Sequence, residues 1–171
     1  MNTRFYLLYF LLIVVLGCTK VSKELSITLD PKNNSQATGT VVFSQEGNFV
    51  TMKAQMKGLS EGIHAIHLHE KADCSSDDGK STGGHWNPTF SKHGAWGAAE
   101  GYHRGDIGNF EVDSLGIGTV QFSTDQWCIG CDDPVKNIVG KAVIVHQGAD
   151  DLVSQPSGAA GARVSCAAII E

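Results

Sequence analysis

The chain has few basic residues, and its net charge has the wrong sign for a nucleic-acid-binding protein. Its 171 residues include 13 Lys and Arg against 18 Asp and Glu, which gives a formal net charge of −5 at pH 7. Proteins that bind DNA or RNA normally present a basic surface to the phosphates. The composition therefore argues against nucleic acid as a partner.

The chain also lacks an apolar run long enough to span a bilayer. Residues Phe5–Leu16 form a run of twelve, whereas a transmembrane helix needs about 20. Arg4 precedes the run and Gly17-Cys18 ends it, which resembles a bacterial lipoprotein signal; without an Ala-x-Ala site, an ordinary secretory signal is the weaker alternative. We expect a signal peptide over 1–17, a tether over 18–24 lipidated at Cys18, and one folded domain over 25–171. The mature protein would be exported to the cell envelope or periplasm and held on a bacterial membrane by lipid.

Helical periodicity is absent as well, and β-type runs take its place. Glu70–Asp106 and Gln147–Ala162 show no sustained period and are predicted to be two long loops, which are acceptable in a compact domain when they are functional. Short runs with turn residues between them predict an all-β sandwich or barrel of about eight strands. The predicted strands are Leu25–Leu29, Thr38–Phe43, Phe49–Met56, Gly62–His69, Ile107–Val112, Ile117–Phe122, Asn137–His146 and Val164–Ile170.

The cysteines are few and even in number once Cys18 is set aside. An exported protein can keep disulfides, and four cysteines allow three connectivities. The close spacing of Cys128 and Cys131 favours a local structural disulfide, because no thioredoxin-like βαβ pattern surrounds this Cys-x-x-Cys. That pairing leaves Cys74 with Cys166.

Histidine is the most informative residue type in the chain. His67 and His69 stand two apart on a predicted strand, so both project from one face. His64 has the opposite parity, which predicts a structural histidine bonded to backbone. One tetrahedral zinc site needs four ligands, so seven ligand-type residues indicate two metals that share a ligand; a histidine-rich surface loop and zinc alone are the alternatives. The seven are His67, His69, His85, His93, His103, Asp106 and His146.

Several motifs together resemble the copper-zinc superoxide dismutase family, from about Ile27 to Ile170. The residues that carry the resemblance are Gly62-Ile63-His64-Ala65-Ile66-His67-Leu68-His69-Glu70, Gly84-His85-Trp86-Asn87-Pro88, His103-Arg104-Gly105-Asp106-Ile107-Gly108-Asn109, Gly140-Lys141-Ala142-Val143-Ile144-Val145-His146, Ala149-Asp150-Asp151-Leu152 and Gly161-Ala162-Arg163-Val164-Ser165-Cys166.

The resemblance implies an eight-stranded Greek-key β-barrel, an immunoglobulin-like sandwich, with two long functional loops. It implies that Asp150 links a copper histidine to a zinc histidine, that Arg163 guides the anionic substrate, and that Cys74 pairs with Cys166. The implied copper ligands are His67, His69, His85 and His146, and the implied zinc ligands are His85, His93, His103 and Asp106, with His85 bridging the two metals.

The function implied is superoxide dismutation: copper is alternately reduced and oxidised, and superoxide and protons become oxygen and hydrogen peroxide. A non-catalytic copper-binding lipoprotein on the same barrel is the alternative. The chain departs from the family in an enlarged segment over 75–82, in the extra Cys128 and Cys131, and in a second loop without lysine, which leaves guidance to Arg163 with Lys80 or Lys92. The oligomeric state is not fixed by the sequence, and a homodimer is compatible with it.

Overall fold

A computed structural model describes residues 22–171, so the predicted signal peptide and Cys18 lie outside the described residues. This part of the chain contains eight strands and one short 3-10 helix. None of its helices is long and apolar enough to cross a membrane. The elements are β1 (Lys23–Pro31), β2 (Thr38–Glu46), β3 (Phe49–Lys57), β4 (Gly62–His69), the 3-10 helix Lys80–Thr82, β5 (Gly108–Val112), β6 (Gly118–Thr124), β7 (Ala142–His146) and β8 (Arg163–Ala168).

The strands form a closed antiparallel barrel in the order β1-β2-β3-β6-β5-β4-β7-β8. The neighbours β3 and β6, and likewise β4 and β7, are not consecutive in the chain, so Greek-key crossovers connect them. Closure removes the exposed sheet edges that invite aggregation. The all-β barrel predicted from the sequence is confirmed.

Alternation along the strands builds the core inside the barrel. In β3, the side chains of Val50, Met52, Ala54 and Met56 are buried, while the residues between them are more exposed. This period of two is what a strand with one face toward a core requires. The barrel interior is therefore largely apolar, and the candidate metal ligands lie outside it.

Strand β4 breaks this alternation, because its last six residues are all buried. Ile66 and Leu68 belong to the apolar core, so His67 and His69, at the opposite parity, face away from it. Their burial on that outer face shows that the long loops cover this strand. The sheet thus has a second buried side, and it carries histidines.

His64 is a structural histidine, as its parity predicted. It shares the parity of Ile66 and is buried. Its Nδ1 lies 2.8 Å from the carbonyl oxygen of His146, and its Nε2 lies 2.9 Å from that of Ser60. These contacts connect the start of β4 to the end of β7.

Several strand limits differ from those predicted, most of them by one to three residues. Strand β1 begins at Lys23, inside the predicted tether, and β8 ends at Ala168. Strand β7 begins at Ala142 rather than Asn137, because Gly140 adopts a φ of 86° and the Lys141 amide donates to the Ile138 carbonyl oxygen at 3.1 Å. This turn interrupts an apolar run that by composition alone looks like continuous strand.

Two disulfides cross-link the described chain. Cys74 is bonded to Cys166 over a separation of 92 residues, and Cys128 to Cys131 over 3. Cys166 is fully buried in β8. The first bond therefore fastens the long loop after β4 to the last strand, whereas the second closes only a local turn.

We expect the two disulfides to differ in their contribution to stability. On the chain-entropy model, a bond that closes a loop of this long separation stabilises the fold by about 4–5 kcal/mol, and one that closes three residues by about 2 kcal/mol. Urea unfolding of the metal-free protein should therefore show a larger loss of unfolding free energy for Cys74→Ala with Cys166→Ala than for Cys128→Ala with Cys131→Ala. Equal losses, or a different pairing in peptide mapping without reduction, would contradict this assignment.

Candidate metal centre

Adjacent strands bring three of the predicted ligands together. His67 and His69 lie on the outer face of β4, and β7 is paired beside it with His69 opposite Ala142. His146 ends β7, at a register irregularity between β7 and β8. The closed barrel therefore places these three imidazoles next to one another before the loops contribute anything.

The long loop after β4 returns to the same strand and adds His85. His69 and His85 form an isolated β-bridge, and the Trp86 amide donates to the Leu68 carbonyl oxygen at 2.8 Å. Gly105 packs against the same strand, since a Cβ there would collide with the Leu68 carbonyl oxygen of β4. A side chain at this position would force the loop away from β4.

Four buried histidines form the first of two ligand clusters. One nitrogen from each of His67, His69, His85 and His146 lies within 4.8 Å of the others. Their nitrogens His67 Nδ1, His69 Nε2, His85 Nε2 and His146 Nε2 have no hydrogen-bond partner among residues 22–171. Buried polar atoms are almost always paired, so four convergent exceptions fit a metal ion, and four nitrogen donors suit copper(II).

A second cluster, sharing His85, has the donor set of a zinc site. It consists of His85, His93, His103 and Asp106, again within 4.8 Å of one another. The Asp106 carboxylate lies 2.8 Å from His85 Nδ1 and 3.0 Å from His93 Nδ1. His103 Nδ1 is 3.2 Å from Asp106 Oδ1 but lacks hydrogen-bonding geometry to any described residue. Three imidazoles and one carboxylate fit tetrahedral zinc.

His85 belongs to both clusters because its two ring nitrogens point in different directions. Nδ1 faces Asp106 on the zinc side, and Nε2 faces the other three histidines. The rings of His85 and His67 lie 4.0 Å apart between centroids. The structure thus brings together all seven predicted ligands in the shared arrangement.

Asp150 connects the two clusters through hydrogen bonds to one histidine of each. Its Oδ2 accepts from His67 Nε2 at 2.9 Å, and its Oδ1 accepts from His93 Nε2 at 3.0 Å. Such outer contacts fix the ring orientation and tautomer of metal-binding histidines. Gly158, at a φ of 70°, gives the carboxylate room, since a Cβ there would collide with it.

Two further residues hold this arrangement and were missed by the sequence reasoning. Gln155 accepts from the His93 amide and donates to the His93 carbonyl oxygen, both at 2.9 Å. Asn109 likewise accepts from the Asp150 backbone amide at 2.8 Å and donates to the Asp150 carbonyl oxygen at 2.9 Å. Isolated amide residues carry no pattern, although Asn109 stands inside a motif that resembles the family.

Burial keeps the imidazoles of His69, His85 and His146 neutral in the chain without bound metal. Desolvation, with repulsion from neighbouring histidines, lowers the pKa of His85 to about 4 and that of His146 to about 3. The same causes hold the pKa of His69 well below its usual value. A neutral imidazole has the lone pair that a metal needs, so these rings require no deprotonation before binding.

His93, on the zinc side, shows the opposite shift in pKa, because two carboxylates face its imidazole. Burial disfavours a charged His93, but Asp106 and Asp150 outweigh that effect and raise its pKa to about 9. Burial likewise opposes ionisation of the two carboxyl groups, and hydrogen bonds from histidines still hold both pKa values below their usual range. A metal bound here would displace a proton from His93.

A cavity of about 400 Å³ opens onto the copper-side cluster. His69, His85 and His146 line it, together with Lys80 and Arg163. Arg163 is half-buried, and its Nη1 donates to the Gly79 carbonyl oxygen at 2.8 Å and to Thr82 Oγ1 at 2.9 Å. Lys92, the other candidate cation, is not among the described residues that line the cavity.

Comparisons with known proteins agree with this geometry. A family profile described as copper/zinc superoxide dismutase matches residues 37–169. The chain is 39% identical over 145 residues to an extracellular copper-zinc superoxide dismutase of Drosophila melanogaster, covering 80% of this chain and 77% of that protein. It also resembles the crystal structure of a double mutant of a SOD-like protein from Bacillus subtilis, with a TM-score of 0.74 and 29% identity over 85% of this chain and 97% of the other. With nearly the whole described barrel matched, this chain belongs to the copper/zinc superoxide dismutase family.

Proposed function

We propose that the chain dismutates superoxide at the paired metal centre, with copper held by His67, His69, His85 and His146, and zinc by His85, His93, His103 and Asp106. One observation carries this proposal. Four buried imidazole nitrogens that no residue of the described chain satisfies converge beside a cavity lined by Arg163. Membership of the copper/zinc superoxide dismutase family supports the same activity.

Copper, when bound, supplies the one-electron chemistry that turns two superoxide ions and two protons into oxygen and hydrogen peroxide. We assign to His85 the role of proton donor in this reaction. Its Nδ1 stays on the zinc side beside Asp106, so its Nε2, which lines the cavity side, can take up a proton and pass it to the reduced substrate. General acid catalysis of this kind requires a donor within hydrogen-bonding reach of the substrate.

The carboxylates keep His85 and its neighbours in position for this task. Asp106 faces His85 and His93, and its oxygen also accepts from the His103 amide at 2.8 Å. Asp150 holds His67 and His93 in fixed orientations. Pre-set orientation means that the imidazoles need little rearrangement when a metal binds or a proton moves.

Arg163 and Lys80 supply the positive potential that an anionic substrate needs. The chain carries a net negative charge, so superoxide is repelled on average and must be drawn in locally. Arg163 is fixed by two hydrogen bonds at the cavity. Lys80 is 77% exposed and paired with Asp78 at 3.0 Å, so its charge is partly offset and screened by solvent. Arg163 is therefore the principal guiding charge.

Removal of the shared histidine should disturb both metal sites. His85→Ala should weaken copper and zinc binding together, whereas His146→Ala should weaken copper binding and spare zinc, because His146 belongs only to the copper-side cluster. Metal titration and a riboflavin/nitroblue tetrazolium assay of the loaded proteins would measure both effects. Wild-type protein should be active and both variants inactive. Unchanged affinities in His85→Ala would contradict the bridge, and inactive wild type with full copper would favour the copper-binding lipoprotein.

Loss of the arginine charge should slow substrate capture without loss of metal. Arg163→Ala should lower the bimolecular rate by about tenfold or more, and Arg163→Glu further, within the range attributed to steering. Higher salt should slow wild type more than Arg163→Ala, since screening weakens the same attraction. Stopped-flow superoxide decay at several ionic strengths measures this, with Lys53→Ala, on the exposed face of β3, as a charge-matched control. Equal rates for wild type and Arg163→Ala would remove Arg163 from the mechanism.

We further propose that residues 1–17 are a signal peptide and that Cys18 carries a lipid that anchors the exported enzyme through residues 18–24. Export is supported by the extracellular dismutase among its relatives, and lipidation by Val15-Leu16-Gly17-Cys18 after an apolar run. Strand β1 begins at Lys23, so the tether between lipid and barrel would be short. The enzyme would then act close to the membrane surface.

Labelled palmitate should enter the wild-type protein and not Cys18→Ser. Fractionation should place wild type with membranes and the serine variant in the soluble exported fraction, because acyl chains supply the membrane affinity. Cys74→Ser should still take up the label, since that cysteine lies in the folded domain. An unlabelled, soluble wild type cleaved at another residue would contradict the anchor.

A further inference from the structure

The enlarged segment over 75–82 packs against Arg163. Its 3-10 helix, Lys80–Thr82, follows Gly79, whose φ of 68° is left-handed. A Cβ on Gly79 would lie 3.4 Å from both Cβ and Cδ of Arg163. The turn therefore rests directly on the stem of the guiding arginine, and it lies on the wall of the cavity that faces the copper-side histidines.

Among residues 22–171, only Thr82 makes a side-chain hydrogen bond to the Arg163 guanidinium. The residue is completely buried, and its Oγ1 is 2.9 Å from Arg163 Nη1 and 2.9 Å from the Gly79 carbonyl oxygen. A guanidinium can only donate, and a hydroxyl has a single proton. Thr82 must therefore accept from Arg163 and donate to Gly79, which leaves its hydroxyl in one orientation.

Asn33, in the connection between β1 and β2, also links the turn to the strand that carries Arg163. Asn33 donates through Nδ2 to the Arg163 carbonyl oxygen at 2.8 Å and to that of Asp78 at 3.4 Å. The backbone amide of Asn33 also donates to the Asp77 carbonyl oxygen at 2.8 Å. The distance between Thr82 and the backbone of Arg163 is thus held by the β1–β2 connection, and the hydroxyl is not carried on a loosely attached loop.

We propose that Thr82 is a positioning residue, whose hydroxyl holds the Arg163 guanidinium in the orientation that guides superoxide into the copper-side cavity. The inference rests on the proposed role of Arg163 and goes beyond it, by naming the group that sets the arginine's orientation. A long, flexible side chain gains most from a second fixed acceptor, because the guanidinium fork is planar and its contacts are directional.

An ionised carboxylate near Arg163 makes this restraint necessary. Asp78 lines the same cavity as Arg163, and contacts with Lys80 hold its pKa at about 2. A guanidinium released from Thr82 can turn toward this carboxylate, and a paired arginine presents less positive charge to superoxide. Thr82 keeps the two groups from pairing closely.

Two substitutions of Thr82 separate the hydroxyl from the rest of the side chain. Thr82→Val keeps the branched shape and removes the hydroxyl, while Thr82→Ser keeps the hydroxyl and removes a methyl group. The Gly79 carbonyl oxygen still accepts from Arg163 and from the residue 82 amide, so Thr82→Val leaves no buried acceptor unpaired. Metal analysis of each variant, loaded with copper and zinc, confirms that the sites are filled before any comparison.

The valine variant should lose guidance and the serine variant should keep it. In stopped-flow measurements, Thr82→Val should lower the bimolecular rate by about threefold, a part of the loss from Arg163→Ala, and should flatten the salt dependence. In the reduced copper-zinc protein, NMR of 15N-labelled arginine side chains reports on the guanidinium without measuring activity. The chain has only two arginines after Arg4, so Arg163→Ala assigns the signals. Two slowly exchanging Nη1 protons of Arg163 should be seen in wild type and Thr82→Ser, one bonded to Gly79 and one to residue 82, and the second should be lost in Thr82→Val.

The outcomes distinguish this inference from the function on which it rests. If Arg163→Ala keeps the wild-type rate, the guiding role fails first. If Arg163→Ala is slow while Thr82→Val keeps both the wild-type rate and the Arg163 signals, the positioning role of Thr82 is wrong and the guiding role stands. If Thr82→Ser is as impaired as Thr82→Val, packing of the methyl group and not the hydroxyl orients the arginine, which also overturns the inference.

Discussion

The rest of the structure depends on burying imidazole nitrogens that the chain itself does not satisfy. A buried polar group without a partner costs about 1–3 kcal/mol, and four such nitrogens meet in one cluster that the described residues leave unpaired. A bound metal replaces the missing partners, so metal binding stabilises the fold. The barrel, the loops and the long disulfide serve to keep these nitrogens together and away from water.

The barrel and the loops divide this work. The barrel contributes rigid placement, because paired strands fix His67, His69 and His146 by register. The loops contribute the zinc side and cover the outer face of β4. Cys74–Cys166 fastens the first loop to β8, while Asp150 and Gln155 join the second loop to His93. Neither loop can move far without disturbing a ligand.

Opposite electrostatic environments lie within one site. Burial and mutual repulsion depress the pKa values of His69, His85 and His146, while two carboxylates raise that of His93. The copper side is thus prepared for a metal by neutral lone pairs, and the zinc side by negative charge. His85 belongs to both environments, so its Nδ1 can stay on the zinc side while its Nε2 takes up and releases a proton.

The sequence by itself determined the fold class and indicated the candidate ligands, because period-two alternation of apolar residues and the i, i+2 spacing of His67 and His69 are local properties of a strand. It also indicated the family through contiguous motifs. Only the tertiary structure showed the turn at Gly140 that shortens β7. It also decided the hydrogen bonds between distant segments, namely those of Gln155 with the His93 backbone and that of Thr82 with Arg163 over a separation of 81 residues. Hydrogen bonds of this kind leave no periodic signal, because each needs only one polar side chain, placed by the packing of the barrel and its loops.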